Sequence, residues 1–433
     1  MTPPKFNIAQ NPFDELPYLA YPIEWTSPEH LALASLVHGG PRLPLEHYRV
    51  LELGCANGAN LLPLAWYRRH GEFTGLDASG RQIDTANACK AKLDLTNIHF
   101  VKADFRSALD LLEGRFDIIM AHGVFSWVPD DARDAMLELC ARLLSPGGVL
   151  YLNYNAHPGW TVRGLVRDYL LQHTRHIDDL EERAEMCRQI SARVISPLKE
   201  GEHAFTRLMT NEFRLVVNHH PAYIAHEYLS PVNRAYWRDE FFEVLRKSGF
   251  SYIADADFNC ISNRITTEIA NLMKQADLED EAAENAADLM CYRQMQSPLL
   301  TQSPLQPRPC EPGEFSGLYM ASRLVPLEAR GQSAIFLTPG GEEIEITDVH
   351  ISQALKTLQP EWPRGRRVDS LFTDLADVME SLEFMLRNEL IELRCVEPGD
   401  FGIAPEPLNE LERSLRNMST SPWHTLTMHS GNS

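Results

Sequence analysis

Short apolar runs alternate with segments of helical spacing between residues 48 and 155, and no other feature constrains the fold as much. Residues 50–53, 72–77, 97–103, 116–121 and 148–154 read as strands. Residues 59–67, 79–91, 106–112 and 130–143 read as helices between them. Such repetition predicts parallel strands with helices on both faces of an α/β sheet. Ligands of these sheets bind outside the carboxyl ends of the strands, where the strand order reverses.

Those ends carry the informative residues. The first strand runs into Gly54, Cys55, Ala56, Asn57 and Gly58. Glycine has no Cβ and tolerates positive φ, so backbone there can approach a ligand. A close helix–strand turn accounts for one glycine as readily as a ligand does. The loop is Gly-x-x-x-Gly, not the Gly-x-Gly-x-x-Gly of dinucleotide folds. The second strand ends in Asp77, 23 positions after Gly54. An acid there can accept hydrogen bonds from ribose hydroxyls, or can cap the helix that begins at Ser79. The third strand ends in Asp104, and the fourth leads into His122, Gly123, Val124, Phe125, Ser126 and Trp127. A turn through Pro146, Gly147 and Gly148 feeds the fifth.

Taken in order, Glu52-x-Gly54-x-x-x-Gly58, Leu76-Asp77-x-Ser79, Ala103-Asp104-Phe105 and Leu144-x-Pro146-Gly147-Gly148 resemble the class I S-adenosylmethionine-dependent methyltransferases. The resemblance implies a Rossmann-like sheet with S-adenosyl-L-methionine as cofactor. It implies a cofactor site made of Glu52, Gly54, Asn57, Gly58, Asp77, Ala78, Ser79, Asp104, Phe105, His122 and Gly123. Within it Asp77 is matched to the ribose acid and Asp104 to the acceptor for the adenine amine. Phe105 could cover the adenine, and Glu52 supports the glycine loop. His122 falls where the family places backbone contacts near the sulfonium. It is a candidate general base, or a structural histidine.

A narrower resemblance rests on Asp14-Glu15-Leu16-Pro17-Tyr18, His122 to Pro129, Tyr154-Asn155-Ala156-His157-Pro158-Gly159-Trp160, His226-Glu227-Tyr228-Leu229 and Ala254-Asp255-Ala256-Asp257. These stretches are similar to the bacterial methyltransferases that carry a methyltransferase regulatory domain, whose relatives include rickettsial outer-membrane-protein lysine methyltransferases. The similarity is strong to about residue 260 and looser beyond it, with a departure at Leu289 to Arg293. Tyr154 is expected at the mouth of the crevice as a catalytic residue, with Asn155, Trp160, Trp127 and Tyr18 as substrate contacts. An aromatic face there would stabilise a sulfonium or an ammonium by ~0.5–2 kcal/mol. Trp160 could equally anchor the segment that follows.

The rest of the chain adds to this α/β unit. Three prolines and four aromatics between Asn11 and Trp25 argue against any helix there, so residues 1–25 are expected to form an arm or a lid. Ser27 and Pro28 then start a helix. Helical spacing over 162–174, 178–194 and 203–217 predicts a helical insertion across 160–221, with a regulatory-type segment over 222–302. Residues 250–257 read as a strand returning to the sheet, and 293–301 as its last, edge strand, because Pro298 suits an edge or a strand end. The prolines of 303–313 read as a linker. A hairpin over 333–347, helices at 351–358 and within 368–390, and a strand at 391–396 predict a C-terminal winged-helix-like α/β module at 314–400, followed by a tail at 401–433.

Composition narrows the functional classes. The chain has 60 acidic and 40 basic residues, a net charge of −20, which argues against a nucleic-acid binder. None of the eight cysteines forms a Cys-x-x-Cys pair and no histidine spacing suggests a metal. No signal pattern or membrane-length apolar run occurs, so a cytoplasmic protein without membrane insertion is the expectation. The expected partner is a protein or small-molecule methyl acceptor, with homodimerisation through the C-terminal module as a further possibility. Lysine N-methylation of a protein is the favoured reading. Methylation of a small molecule or natural product, or cofactor binding without catalysis, are the alternatives.

Overall fold

Ser27 accepts a hydrogen bond from the His30 amide at 3.3 Å and Pro28 occupies the first helical position, so the chain enters a helix where the cap predicts one. The computed structural model describes residues 12–18, 20–197, 203–257, 261–276, 279–303, 305, 311–331 and 333–395. The predicted tail at 401–433 and much of the predicted linker lie outside them. One helical turn, α1 (Pro12–Glu15), forms in the arm where no helix was expected, because Pro12 occupies its first position, and it precedes α2 (Pro28–Val37).

The alternating region forms β1 (Arg49–Leu53), α3 (Leu61–Tyr67), β2 (Glu72–Asp77), α4 (Gly80–Lys92), β3 (Ile98–Lys102), β4 (Phe116–Ala121), α5 (Asp130–Leu143) and β5 (Leu144–Leu152). These strands are parallel, and the order of the sheet is β3-β2-β1-β4-β5 before two later strands. The order reverses between β1 and β4, which fixes the ligand crevice there. Alternate residues of β1 face opposite ways, as a strand requires: Val50 joins the core on one face, Leu51 and Leu53 the core on the other.

Two local expectations fail for identifiable reasons. Residues 106–112 are not a helix; only Ala108–Asp110 makes a 3-10 turn. The Asp104 carboxylate accepts from the Arg106 and Ser107 amides and so holds the backbone in a turn. The Pro146-Gly147-Gly148 turn is absorbed into β5. Phe116 pairs with Leu144 and Ile118 with Val149, so residues 145–148 bulge within the strand.

After a short β6 (Tyr154–Asn155) come α6 (Gly159–Thr174), α7 (Leu180–Ile195), α8 (Ala204–Asn218) and α9 (Pro221–Glu227). They enclose a core of their own around Val166, Leu170, Phe213 and Val216, and Leu16 of the N-terminal arm packs against it. Then follow α10 (Arg238–Lys247), β7 (Ser251–Asp255), α11 (Ile261–Gln275), α12 (Asp280–Met290), β8 (Met295–Gln296) and β9 (Pro298–Thr301). The predicted edge strand is therefore two pieces. β8 pairs with β6, while β9 lies inside the large sheet, antiparallel to β5 and β7, and β7 is the edge. Pro298 is accommodated as the first residue of its strand.

The C-terminal region contains α13 (Pro312–Phe315), β10 (Tyr319–Ala321), β11 (Val325–Pro326), β12 (Ala334–Leu337), β13 (Glu343–Ile346), α14 (Val349–Leu358), β14 (Arg366–Arg367), α15 (Met379–Arg387) and β15 (Glu392–Arg394). Its strands make two three-stranded sheets, β14-β10-β15 and β11-β12-β13. Leu33 and Leu36 of α2 belong to its hydrophobic core.

Candidate active site

The loop after β1 is shaped by its own packing before any ligand is considered. Gly54 and Gly58 have φ of +72° and +76°. A Cβ on Gly54 would stand 2.5 Å from Val124 Cγ2, and one on Gly58 2.6 Å from Phe100 Cζ. Both glycines are therefore required by conformation and by close approach of neighbouring side chains. Ala56 between them also has positive φ, +48°.

Asp77 ties this loop to the next helix. One carboxylate oxygen accepts from the Ala56 amide at 2.9 Å, the other from the Ser79 amide at 2.8 Å. Each oxygen keeps a further lone pair for another donor. Burial raises the Asp77 pKa, and the amides of Ser79, Ala56 and Ala78 work against that rise. Ser79 is itself the cap of α4, accepting from the Gln82 amide, so the capping role considered for Asp77 falls to Ser79. Ala78 between them is exposed. Asn57 accepts from the Ala59 amide and closes the glycine turn. Asp104 stands beyond β3 with its carboxylate engaged in the turn already described, and Phe105 packs on the second core.

Under the loop lies a buried carboxylate. Glu52 is 5% exposed; one oxygen accepts from Asn60 Nδ2 at 2.9 Å. The other is buried with no hydrogen-bond partner among the described residues. Burial raises its pKa to about 7. Asn60 Oδ1 in turn accepts from the Ile23 amide, which fastens the arm to the back of the loop. An orphaned carboxylate oxygen beside a positive-φ glycine loop, with two further acids at neighbouring strand ends, fits a ligand with an ammonium end and several hydroxyl and amine donors.

The N-terminal arm bridges this region and the helical insertion. Asp14 accepts from the Ser79 hydroxyl at 2.6 Å and from the Arg81 amide at 3.1 Å. The Arg81 guanidinium donates to the carbonyls of Asp14 and Glu15. On the other side Phe13 stacks on His226 with centroids 4.3 Å apart, and the His226 ring bonds the Leu16 carbonyl at 2.6 Å. The Tyr18 hydroxyl donates to Glu227 at 3.3 Å. Asp14, Asn60, Arg81 and Glu227 were not predicted as site residues. Asp14 and Glu227 lie inside stretches that carried the family resemblance, but a motif does not show its partner.

His122 sits beyond β4. Its Nδ1 is 2.8 Å from the Tyr151 hydroxyl, which also accepts from Trp25 Nε1 at 2.9 Å. Burial lowers the His122 pKa to about 4, so the ring is neutral near pH 7. Gly123 has φ of +68° and open space where a Cβ would be, and its amide donates to Asn153 Oδ1 at 2.6 Å.

The residues expected at the mouth of the crevice are placed differently. Tyr154 is 1% exposed, its ring lies on Phe241 and its hydroxyl donates to Gln296. The pairing of Tyr154 with Gln296 across β6 and β8 turns the side chain into the core. Asn155 is 7% exposed; its amide donates to the Ser126 hydroxyl and its side chain to Asn233. Trp160 is 6% exposed, meets Trp127 edge to face at 5.4 Å and carries the Arg163 guanidinium 5.1 Å over its ring. Trp160 thus anchors the insertion, and Trp127 is its half-buried partner.

A seven-stranded sheet with this strand order, a glycine loop after β1 and acids at the ends of β2 and β3 is a Rossmann-like methyltransferase fold. Residues 50–148 match the methyltransferase domain family, and residues 220–302 match the family described as a predicted methyltransferase regulatory domain. A methyltransferase domain is thus followed, within this chain, by a predicted methyltransferase regulatory domain. It is 34% identical over 249 residues to the uncharacterized protein RP789 of Rickettsia prowazekii, covering 58% of this chain and 45% of that protein. The chain thus spans less than half the length of that relative. It is 32% identical over 114 residues to a ubiquinone biosynthesis O-methyltransferase of Caulobacter vibrioides, covering 26% of this chain and 43% of that enzyme. Among solved structures, PKMT2 from Rickettsia typhi in complex with AdoHcy has the same fold, with a TM-score of 0.74 and 23% identity, over 89% of this chain and 79% of that one. No helix among the described residues is long and apolar enough to cross a membrane.

Proposed function

We propose that this chain is an S-adenosylmethionine-dependent methyltransferase whose acceptor is a lysine side chain of a protein. The observation that carries the cofactor assignment is the convergence of the Gly54 loop, Asp77, Asp104 and Gly123 on one end of the sheet, above the orphaned oxygen of Glu52. S-adenosylmethionine supplies an electrophilic methyl group on a sulfonium. Asp77 accepts from the ribose hydroxyls and Asp104 from the adenine amine, while Glu52 is available to the ammonium of the amino-acid end. Gly123 leaves room beside the sulfonium.

The chain's contribution to rate is alignment and exclusion of water. Alignment of two reactants can contribute up to ~7–11 kcal/mol. The arm, held by Asp14 at one end and Tyr18 at the other, screens the site from solvent. A lysine ammonium, with a free pKa of ~10.4, must lose a proton before it attacks. With its pKa lowered to about 4, His122 is too weak a base to hold that proton, so it serves to position Tyr151 and the loop at Gly123. Tyr154 has no role in the transfer on this reading.

The lysine reading rests on the motif resemblance to rickettsial protein lysine methyltransferases. A small-molecule acceptor is the second reading, motivated by the match of the catalytic sheet to a ubiquinone biosynthesis O-methyltransferase. Incubation with methyl-labelled cofactor and a cell lysate separates them. Label on lysine of a protein supports the first reading, label on small molecules the second, and no transfer by a chain that binds cofactor removes both.

A further inference from the structure

Glu227 ends α9 beside the arm, and its surroundings are unusual for a carboxylate. The Tyr18 hydroxyl donates to one oxygen at 3.3 Å, and no other hydrogen bond to Glu227 forms among the described residues. Tyr223 stands one turn before Glu227 on the same side of α9, and the Glu227 charge adds to burial in raising the pKa of Tyr223 and of Tyr21. Arg163 is the cation whose charge acts on Glu227, but its guanidinium is engaged elsewhere: Nε donates to Glu212 at 3.1 Å and a terminal nitrogen to Gln294 at 2.9 Å. Glu212 also accepts from the Tyr292 hydroxyl at 3.0 Å, so the Arg163–Glu212 pair is satisfied within itself. This carboxylate, hydrogen-bonded to one tyrosine and near two more, is left without an ion-pair partner and is half-buried.

Burial raises the Glu227 pKa to about 7, against the opposing pull of Arg163 and the Tyr18 hydroxyl. A desolvated carboxylate of this kind is costly until a cation meets it. The location adds meaning to the chemistry. Tyr18 touches Glu227 with its hydroxyl, and its carbonyl accepts from Gln82 Nε2 at 3.5 Å. The Gln82 amide is bound by Ser79, next to Asp77. Tyr18 therefore links the start of α4, beside Asp77, to Glu227.

We infer that Glu227, Tyr18, Tyr21 and Tyr223 form the recognition site for the acceptor's ammonium group, with the carboxylate accepting its N–H bonds and the tyrosine rings lining its alkyl stem. The inference rests on the amine-acceptor reading above and names the residues that select it. Tyrosine faces favour a cation as well as apolar methylenes, and a single unpaired carboxylate discriminates against neutral chains of the same shape.

The test is binding, not turnover. The full chain saturated with S-adenosylhomocysteine is titrated by NMR with Nα-acetyl-lysine N-methylamide, with the norleucine analogue and with n-butylammonium chloride. The lysine derivative should bind saturably, the norleucine analogue at least tenfold more weakly, and Glu227→Gln should lose the lysine derivative at least tenfold while keeping S-adenosylhomocysteine affinity and melting temperature. Equal binding of lysine and norleucine derivatives by the unmodified chain would overturn the site without any mutant. So would lysine binding that is unchanged in Glu227→Gln, or a parallel loss of S-adenosylmethionine affinity in that variant, which would place the carboxylate against the cofactor's sulfonium. Binding of n-butylammonium that needs Glu227, without binding of the lysine derivative, keeps the ammonium site and removes the lysine reading. Lysine methylation by Glu227→Gln at unchanged KM does the reverse.

Discussion

Tyr154 lies flat on Phe241, with ring centroids 3.7 Å apart and planes 16° from parallel. The pair sits in the core beneath the crevice, and it decides what a substitution at Tyr154 does. Tyr154→Phe keeps the stack and removes the hydroxyl bond to Gln296, so it should cost about 1–3 kcal/mol and leave turnover per folded molecule unchanged. Tyr154→Ala should cost about 3–5 kcal/mol by opening a cavity. Thermal melts and single-turnover rates check both. A fall in kcat for a Phe variant that melts normally would restore the tyrosine as a catalytic group.

Asp77 holds the Ala56 and Ser79 amides, so its loss affects both the ligand and the loop. Asp77→Ala should weaken S-adenosylmethionine binding by about 1.5–3 kcal/mol, in the range of lost charge-assisted hydrogen bonds. Asp77→Asn can still accept one amide bond and should lose less. Calorimetry on the two variants reads the difference; unchanged affinity in a folded Asp77→Ala protein removes the residue from the site.

Glu52 makes stability depend on pH. Its folded pKa, raised to about 7 by burial, exceeds the unfolded value of ~4.3. Between those values the folded state retains a proton that the unfolded state releases. This contribution is fully present below the unfolded pKa and is lost as pH rises through about 7. Glu52→Gln mimics the protonated acid, so the variant should match the unmodified chain near pH 4 and exceed it at pH 8, by at most about 4 kcal/mol. Denaturant melts without cofactor measure this. Saturating S-adenosylmethionine should shrink the gap if its ammonium meets the free oxygen.

Leu33 and Leu36 of α2 are built into the core of the C-terminal region. A chain ending at Gln302 would uncover both, each worth about 1.5–3 kcal/mol of burial. That truncation should melt lower and aggregate. Adding Leu33→Gln and Leu36→Gln should recover solubility, with cofactor affinity equal to the full chain. A simple truncation that melts like the full chain would show that the two regions are energetically independent.

The region around Asp104 shows where reading the sequence stops. The motif placed Asp104 at a strand end, and it is there, but the helix expected after it is a turn because its carboxylate bonds two amides locally. Tyr154 and Trp160 share one motif, yet both are buried: β8 arrives from about 140 residues away to pair with β6 at Tyr154, and Trp160 packs against Trp127 and Arg163.

By itself the sequence determined the parallel α/β sheet, because the apolar period switches between two and 3.6 with little ambiguity over residues 48–155, and it determined the residues at the strand ends, because strand direction alone puts them at one edge. Only the tertiary structure decided which of the expected site residues are buried, that β9 enters the sheet instead of closing its edge, and that the arm joins Ser79 to Glu227. Those outcomes depend on contacts between residues 65 to more than 200 positions apart, for which no local periodicity carries a signal.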